Sequence, residues 1–209
     1  MGLYPIVVEL ARRPCLVVGG GVVAERKVEG LLAADADVTV VSPDLTDLLS
    51  DHRAAGRIHH HARLYRAGDL SGMALVFTAL DDREATWAIA AEAREHGVWL
   101  NAADDPACCD FILPGVVRRG LLTIAVASGA TSPAVTRALR EHLDSVLGAE
   151  WTTLAAIAAE ARRDLQAARR SADGEAWRRA LGPAVRMLIA DGQVDEARHR
   201  LRAILGVPA

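Results

Sequence analysis

The chain has 209 residues, 51% of them hydrophobic and 24% charged, with 17 Gly and 8 Pro, a globular composition that excludes collagen-like and disordered chains. Its 24 basic residues are outnumbered by 27 acidic ones, for a formal net charge of −3, so the basic excess of a nucleic-acid binder is absent. Every candidate apolar run is broken by Arg, Asp or Glu well short of the ~18 residues of a membrane span, and an odd set of three cysteines without zinc spacing fits a reducing compartment. Met1 to Pro5 carries no basic-then-apolar leader pattern, and the expected location is the cytoplasm.

Cys15–Val18 is a short apolar run that ends in Gly19-Gly20-Gly21, and Val22–Ala34 then has apolar residues at helical spacing. This reads as strand, glycine turn and helix. Val38–Val41 is a second β-branched run, stopped by Ser42-Pro43-Asp44, which are expected to cap a following helix. Further strands are expected over Ile58–Leu64 and Ala74–Ala79, then a helix from the Asp81-Asp82 cap to about Arg94, then a strand starting at Val98. Phe111–Val117 and Leu121–Ala127 read as a hairpin joined by Arg118-Arg119-Gly120. Ser132 and Pro133 open a helix to about Leu147, and from Gly148 the Ala/Arg/Glu-rich remainder, punctuated at 171–174 and at Asp191-Gly192, predicts three helices.

Gly19, Gly21 and Ala24 satisfy G-x-G-x-x-G/A between a strand and a helix. In that context the first glycine allows the turn, the second lets backbone approach a pyrophosphate, and Ala24 permits close helix-to-strand packing. The acidic residue that usually ends the second strand is missing; Ser42 stands there, with Asp44 two residues later. Asn101-Ala102-Ala103-Asp104-Asp105-Pro106 follows a strand's carboxyl end, where open α/β sheets place ligands, and a carboxylate there can move a proton. A plain turn before Pro106 explains the same residues. Ser128–Pro133 offers hydroxyls and N–H groups at a helix start, and Arg118, Arg119, Arg137 and Arg140 suit a polyanionic ligand or a solvated face.

His59-His60-His61 is assigned no metal, because only His59 and His61 share a strand face and no other ligand follows closely. The adjacent Cys108 and Cys109 are expected to be small packed residues rather than a metal site.

In one order, Pro5-Ile6, the run Cys15–Lys27 with G-G-G-x-V-A-x-R-K, Asn101–Pro106, Phe111–Pro114 and S-G-x-T-S-P at Ser128–Pro133 resemble the precorrin-2 dehydrogenase/sirohydrochlorin ferrochelatase family, the NAD-dependent module of siroheme synthase. The resemblance is close over about residues 3–150 and looser beyond. It implies an α/β fold in which a Rossmann-like parallel-sheet domain at 1–113 binds NAD. A β-hairpin dimerisation and linker region at 114–147 and a C-terminal helical domain at 148–209 follow. It also implies a homodimer and NAD-dependent oxidation of precorrin-2 to sirohydrochlorin, followed in some members by insertion of Fe²⁺ or Co²⁺.

By the same resemblance, Asp104 is the catalytic residue. Gly19, Gly21, Val22, Val23, Ala24, Pro43, Asp44 and Thr78 bind the cofactor, and Asn101, Arg118, Ser128, Thr131 and Arg137 bind the tetrapyrrole. Ser128 matches a serine that is phosphorylated in some members. Leu80 departs from the family by standing where a Thr often precedes the Asp, and Asp105 adds a second carboxylate that favours a cation or raises its neighbour's pKa. Two rival readings remain, a small-carbonyl oxidoreductase and a dinucleotide sensor without tetrapyrrole chemistry. The first is weakened because neither Tyr4 nor Tyr65 lies in Y-x-x-x-K.

Overall fold

The computed structural model describes residues 3–129 and 132–207. It divides into two compact units, one of residues 3–112 and one beginning at Leu113. None of the described helices is long and apolar enough to cross a membrane.

The first unit is built on strands β1 (Pro14–Val18), β2 (Asp37–Val41), β3 (His59–His61), β4 (Leu75–Thr78) and β5 (Trp99–Ala102), with helices α1 (Val22–Leu32), α2 (Asp47–Ala54) and α3 (Arg83–His96) between them. All strand pairs are parallel, in the order β3-β2-β1-β4-β5. Each strand's alternate residues face opposite layers, so the central strands read as continuous apolar runs buried on both sides. Cys15, Val17, Val38, Val40 and Phe77 pack with Ala24, Val28 and Leu31 of α1 and Leu49 of α2. On the other face, Leu16, Val18, Val76 and Leu100 pack with Ile89, Ala90 and Ala93 of α3. The chain reverses direction across the sheet between β1 and β4, and ligands of such sheets lie at that switch, beyond the carboxyl ends of the strands.

Asp82 caps α3 as expected, its carboxylate accepting from Ala85 N–H at 3.0 Å. Three local expectations fail in this unit. The cap of α2 is Thr46, whose Oγ1 accepts from Leu49 N–H at 3.4 Å, rather than Ser42-Pro43-Asp44. The strand expected over Ile58–Leu64 shrinks to three residues at the sheet edge, ended by a tight bond from Arg63 N–H to His61 O (2.8 Å). Phe111 is not in a strand; its ring stacks edge-on against Phe77 at 5.6 Å, and Pro114 has no N–H for a ladder.

In the second unit, β6 (Gly115–Arg119) and β7 (Leu122–Val126) form an antiparallel hairpin with Arg119 opposite Leu122. Its loop is therefore Gly120-Leu121 rather than Arg118-Arg119-Gly120, with Gly120 at φ +54°. Helix α4 (Pro133–Val146) starts at the Ser132 cap, as expected. Four helices follow instead of three: α5 (Ala149–Ala167), α6 (Gly174–Ala180), α7 (Pro183–Ala190) and α8 (Val194–Leu205). The extra break lies at Gly182-Pro183, because proline has no N–H and its ring collides with the carbonyl four residues back, so it begins a helix rather than continuing one. Leu154, Ile157, Ala161, Leu165, Val185 and Leu201 form this unit's core. Arg198 with Glu160 (3.2 Å) and Arg202 with Asp164 join α8 to α5 on its surface.

Candidate nucleotide-binding site

The turn between β1 and α1 is held by backbone bonds on both sides: Gly19 N–H donates to Val41 O (2.9 Å), and Thr46 N–H donates to Gly20 O (3.0 Å). Gly19 sits at φ +121°, where a side chain is strained, and an added Cβ there would collide with the Ala79 carbonyl. At Gly20 a Cβ would overlap the Asp44 carbonyl and lie 2.7 Å from Ser42 Oγ, so the variable position of the motif is fixed by packing as well. Gly21 is different. It faces open space, with no atom within 4 Å of an added Cβ.

Gly21 is also the N-cap of α1 and gives it no side-chain bond. The first intrahelical bond here comes from Glu25 N–H to Gly21 O, so the N–H groups of Val22, Val23 and Ala24 have no partner of that kind at the helix's positive end. Next to them, Gly20, Gly21 and residues 42–46 line an open cavity of about 330 Å³. Pro43 and Asp44 are exposed on its rim, while Ser42 is buried beneath it. Ser42 O accepts from His60 Nε2 at 2.9 Å, which occupies the middle histidine of the triplet structurally. Among the described residues no three His, Cys, Asp or Glu gather in a metal-holding group.

Thr78 ends β4 beside β1 and is 1% exposed, yet its Oγ1 has no hydrogen-bond partner. Further along the same edge of the sheet, Asn101 of β5 is buried. Its Nδ2 donates to Phe111 O (2.9 Å), and its Oδ1 accepts from Lys27 Nζ of α1 (3.2 Å). The Lys27 ammonium also lies 5.4 Å from the centre of the Phe77 ring. Burial, aided by Arg26, pulls the Lys27 pKa below its usual range. The half-buried Cys109 sits against the same strand end, its thiol donating to Ala102 O at 3.3 Å, and burial raises its pKa.

Asp104 is exposed at the turn after β5 and has left-handed backbone, φ +61°. Its neighbour points elsewhere. Asp105 Oδ2 accepts from Trp87 Nε1 (2.9 Å) and Arg83 Nε (3.2 Å), both on α3, and these bonds, the Trp87 bond first, hold its carboxyl below the usual carboxylate range. The extra carboxylate noted in the sequence is thus an anion committed to α3.

In the second unit Ser128 Oγ donates to Ser132 O (2.9 Å) and accepts from Thr136 Oγ1 (2.9 Å), which binds the hydroxyl into the start of α4. Arg119 pairs with Asp144 at 2.6 Å and Arg140 with Glu141 at 3.1 Å. Arg118 and Arg137 are exposed and have no ion pair among the described residues. Thr131 lies outside the described residues.

A family model described as "Putative NAD(P)-binding" matches residues 6–115, from before the glycine turn to the start of β6. The chain belongs to this NAD(P)-binding family. It is similar to the siroheme synthase of Methylobacillus flagellatus, with 39% identity over 98% of this chain and 44% of the relative. Similarity to the siroheme synthase of Methylococcus capsulatus is 35% over 97% of this chain and 44% of the relative. The chain therefore spans less than half the length of these curated relatives. Its fold is that of a solved structure named SirC, precorrin-2 dehydrogenase: TM-score 0.73, 22% identity, covering 97% of this chain and 98% of that one.

The site of an NAD(P)-binding protein fits these residues. The uncapped N–H groups of α1 and the open face at Gly21 suit a pyrophosphate, and the orphaned Thr78 hydroxyl oxygen lies at the switch between β1 and β4. Sequence reasoning missed Lys27, which appeared only as the end of the R-K string, and the tie of Asp105 to Trp87. A lysine six residues past Gly21 reads as an exposed helix position until the adjoining strand end is placed.

Proposed function

We propose that the chain is a precorrin-2 dehydrogenase, oxidising precorrin-2 to sirohydrochlorin with NAD⁺ in siroheme biosynthesis. What carries this reading is that siroheme synthases match it over 97–98% of its length, at 35–39% identity, rather than over the glycine turn alone. Gly19, Gly21, Val22, Val23 and Ala24 hold the pyrophosphate, Pro43 and Asp44 face the adenosine ribose, and Thr78 supplies a hydroxyl. No Lys or Arg stands between Ser42 and Thr46 to neutralise a ribose 2′-phosphate, and the acidic Asp44 opposes one, which favours NAD over NADP.

When bound, NAD⁺ supplies the hydride acceptor. The oxidation removes a hydride and a proton from the reduced macrocycle, and Asp104, exposed at the strand end, takes the proton. Asn101, held by Lys27 and the Phe111 carbonyl, presents an oriented amide to the substrate. Arg118 and Arg137 pair with its carboxylates, and Ser128 and Thr131 offer hydroxyls to it. Insertion of Fe²⁺ or Co²⁺ into sirohydrochlorin is a second step of the same proposal, with Asp104 accepting the displaced pyrrole protons.

The protein acts as a cytoplasmic homodimer, with residues 114–147 as its pairing region between a cofactor domain at 1–113 and a helical domain at 148–209. Helix α4 supports this, since none of its residues is buried and Val135, Leu139 and Val146 form an exposed apolar stripe.

The test is anaerobic incubation with precorrin-2 and NAD⁺, following the tetrapyrrole spectrum and NADH together, with Fe²⁺ or Co²⁺ added in a second cuvette. Equimolar sirohydrochlorin and NADH are expected, and metal insertion above the protein-free rate. NAD binding with no product would replace the reading with that of a dinucleotide sensor.

A further inference from the structure

Trp87 is 47% exposed on α3, so burial of its ring does not by itself account for an indole there. Its N–H is spent on one acceptor, Asp105 Oδ2 at 2.9 Å, and Arg83, one helical turn earlier, reaches the same oxygen at 3.2 Å. The Arg83 guanidinium also lies 5.8 Å from the Trp87 ring centre, so the two donors brace each other. The Asp105 side chain is only 15% exposed in their grip. Its carbonyl accepts from Cys108 N–H (3.1 Å), and on the other side of the turn Ala103 N–H donates to Thr78 O (2.8 Å).

Between these two fixed neighbours stands Asp104, in left-handed backbone at φ +61°, a conformation that aspartate takes more readily than most side chains. Its side chain makes no hydrogen bond or ion pair among the described residues, so the backbone on either side sets where its Cα–Cβ bond points, and the Lys27 ammonium is a charge it feels. We propose that the tie of Asp105 to Trp87 and Arg83 is a positioning device that fixes the Asp104 turn and aims its carboxylate. Asp105, Trp87 and Arg83 touch no reacting atom; they act through Asp104. The inference rests on the reading of Asp104 as the proton acceptor.

The experiment measures kcat and KM for precorrin-2 and NAD⁺ in Asp105→Ala, Asp105→Asn and Trp87→Phe, each also in an Asp104→Asn background. The same samples give the indole N–H NMR resonances, with that of Trp87 assigned from Trp87→Phe, and the Asp104 amide exchange rate. Asp105→Ala is expected to lower kcat about tenfold or more while leaving KM for NAD⁺ within about twofold. It also shifts the Trp87 indole proton and speeds exchange at Asp104. Asp105→Asn, whose amide oxygen still accepts from the indole, recovers most of the rate. In the Asp104→Asn background the second change costs nothing further. Wild-type kcat in Asp105→Ala overturns the inference, as does an equal loss with and without Asp104, which marks a purely structural role. Loss of turnover in the wild type itself overturns the dehydrogenase reading and the catalytic role of the tie with it, a result separate from either of these.

Discussion

The Lys27 ammonium lies 3.2 Å from Asn101 Oδ1 and so joins the helix that follows the glycine turn to the last strand of the sheet. The contact has a cost, because burial strips water from the cation and lowers its pKa below 10.5. The folded state then binds fewer protons than the unfolded state in the window between the lowered value and 10.5, so this group's contribution to stability rises with pH there. A neutral amine still donates to Asn101. The expected outcome is that wild type gains stability relative to Lys27→Met between pH 7 and pH 10, measured by urea unfolding; a constant or shrinking gap would rule out a desolvated ammonium.

Gly20 and Gly21 separate folding from binding. Gly20→Ala forces a Cβ into the Asp44 carbonyl and is expected to destabilise the first unit by about 1–3 kcal/mol, the usual cost of overpacking. Gly21→Ala meets no protein atom and loses at most about 1 kcal/mol as a poorer N-cap, yet it fills the space at the uncapped N–H groups. Thermal unfolding with NAD titration by calorimetry should show Gly20→Ala melting lower and Gly21→Ala melting near wild type with weakened NAD affinity. Unchanged affinity in Gly21→Ala would take the pyrophosphate off this turn.

The parallel sheet was legible because strands buried on both faces leave runs such as Cys15–Val18 and Val38–Val41, and a glycine turn between strand and helix has few other uses. Boundaries that depend on one competing bond were not legible. Thr46 outcompetes Asp44 as a cap because the loop first turns back to bond Gly20, and Pro183 splits a helix whose apolar spacing runs on. At the candidate site, the glycine motif and the exposed Asp104 turn follow from residue types in order. The roles of Lys27, Trp87 and Asp105 do not, since each depends on pairing across at least 18 residues of sequence. The two aspartates look equivalent as letters; only the placement of α3 makes one a structural anion and leaves the other exposed.

Leu201 is fully buried in the helical unit, packed among α5, α6 and α7 by a helix whose outer face is charged. Leu201→Ala should cost about 2–5 kcal/mol, the transfer loss plus the cavity left behind. Calorimetry gives the expected result as a lower unfolding transition; a change under about 1 kcal/mol would mean that the bundle collapses into the space.

The three cysteines make a sharper test of local electrostatics. Burial raises the pKa of Cys15, Cys108 and Cys109, but at Cys109 the Ala102 N–H, which donates to the sulfur at 3.2 Å, and the Lys27 charge pull the other way and would stabilise a thiolate. Burial outweighs both there, and the sulfur is only partly exposed to attack. Iodoacetamide at pH 7 should therefore leave the native protein unmodified while urea exposes all three thiols, read by intact mass. Rapid single labelling at Cys109 in the folded state would mean that the Lys27 ammonium governs that sulfur, and in Lys27→Met the labelling would then disappear.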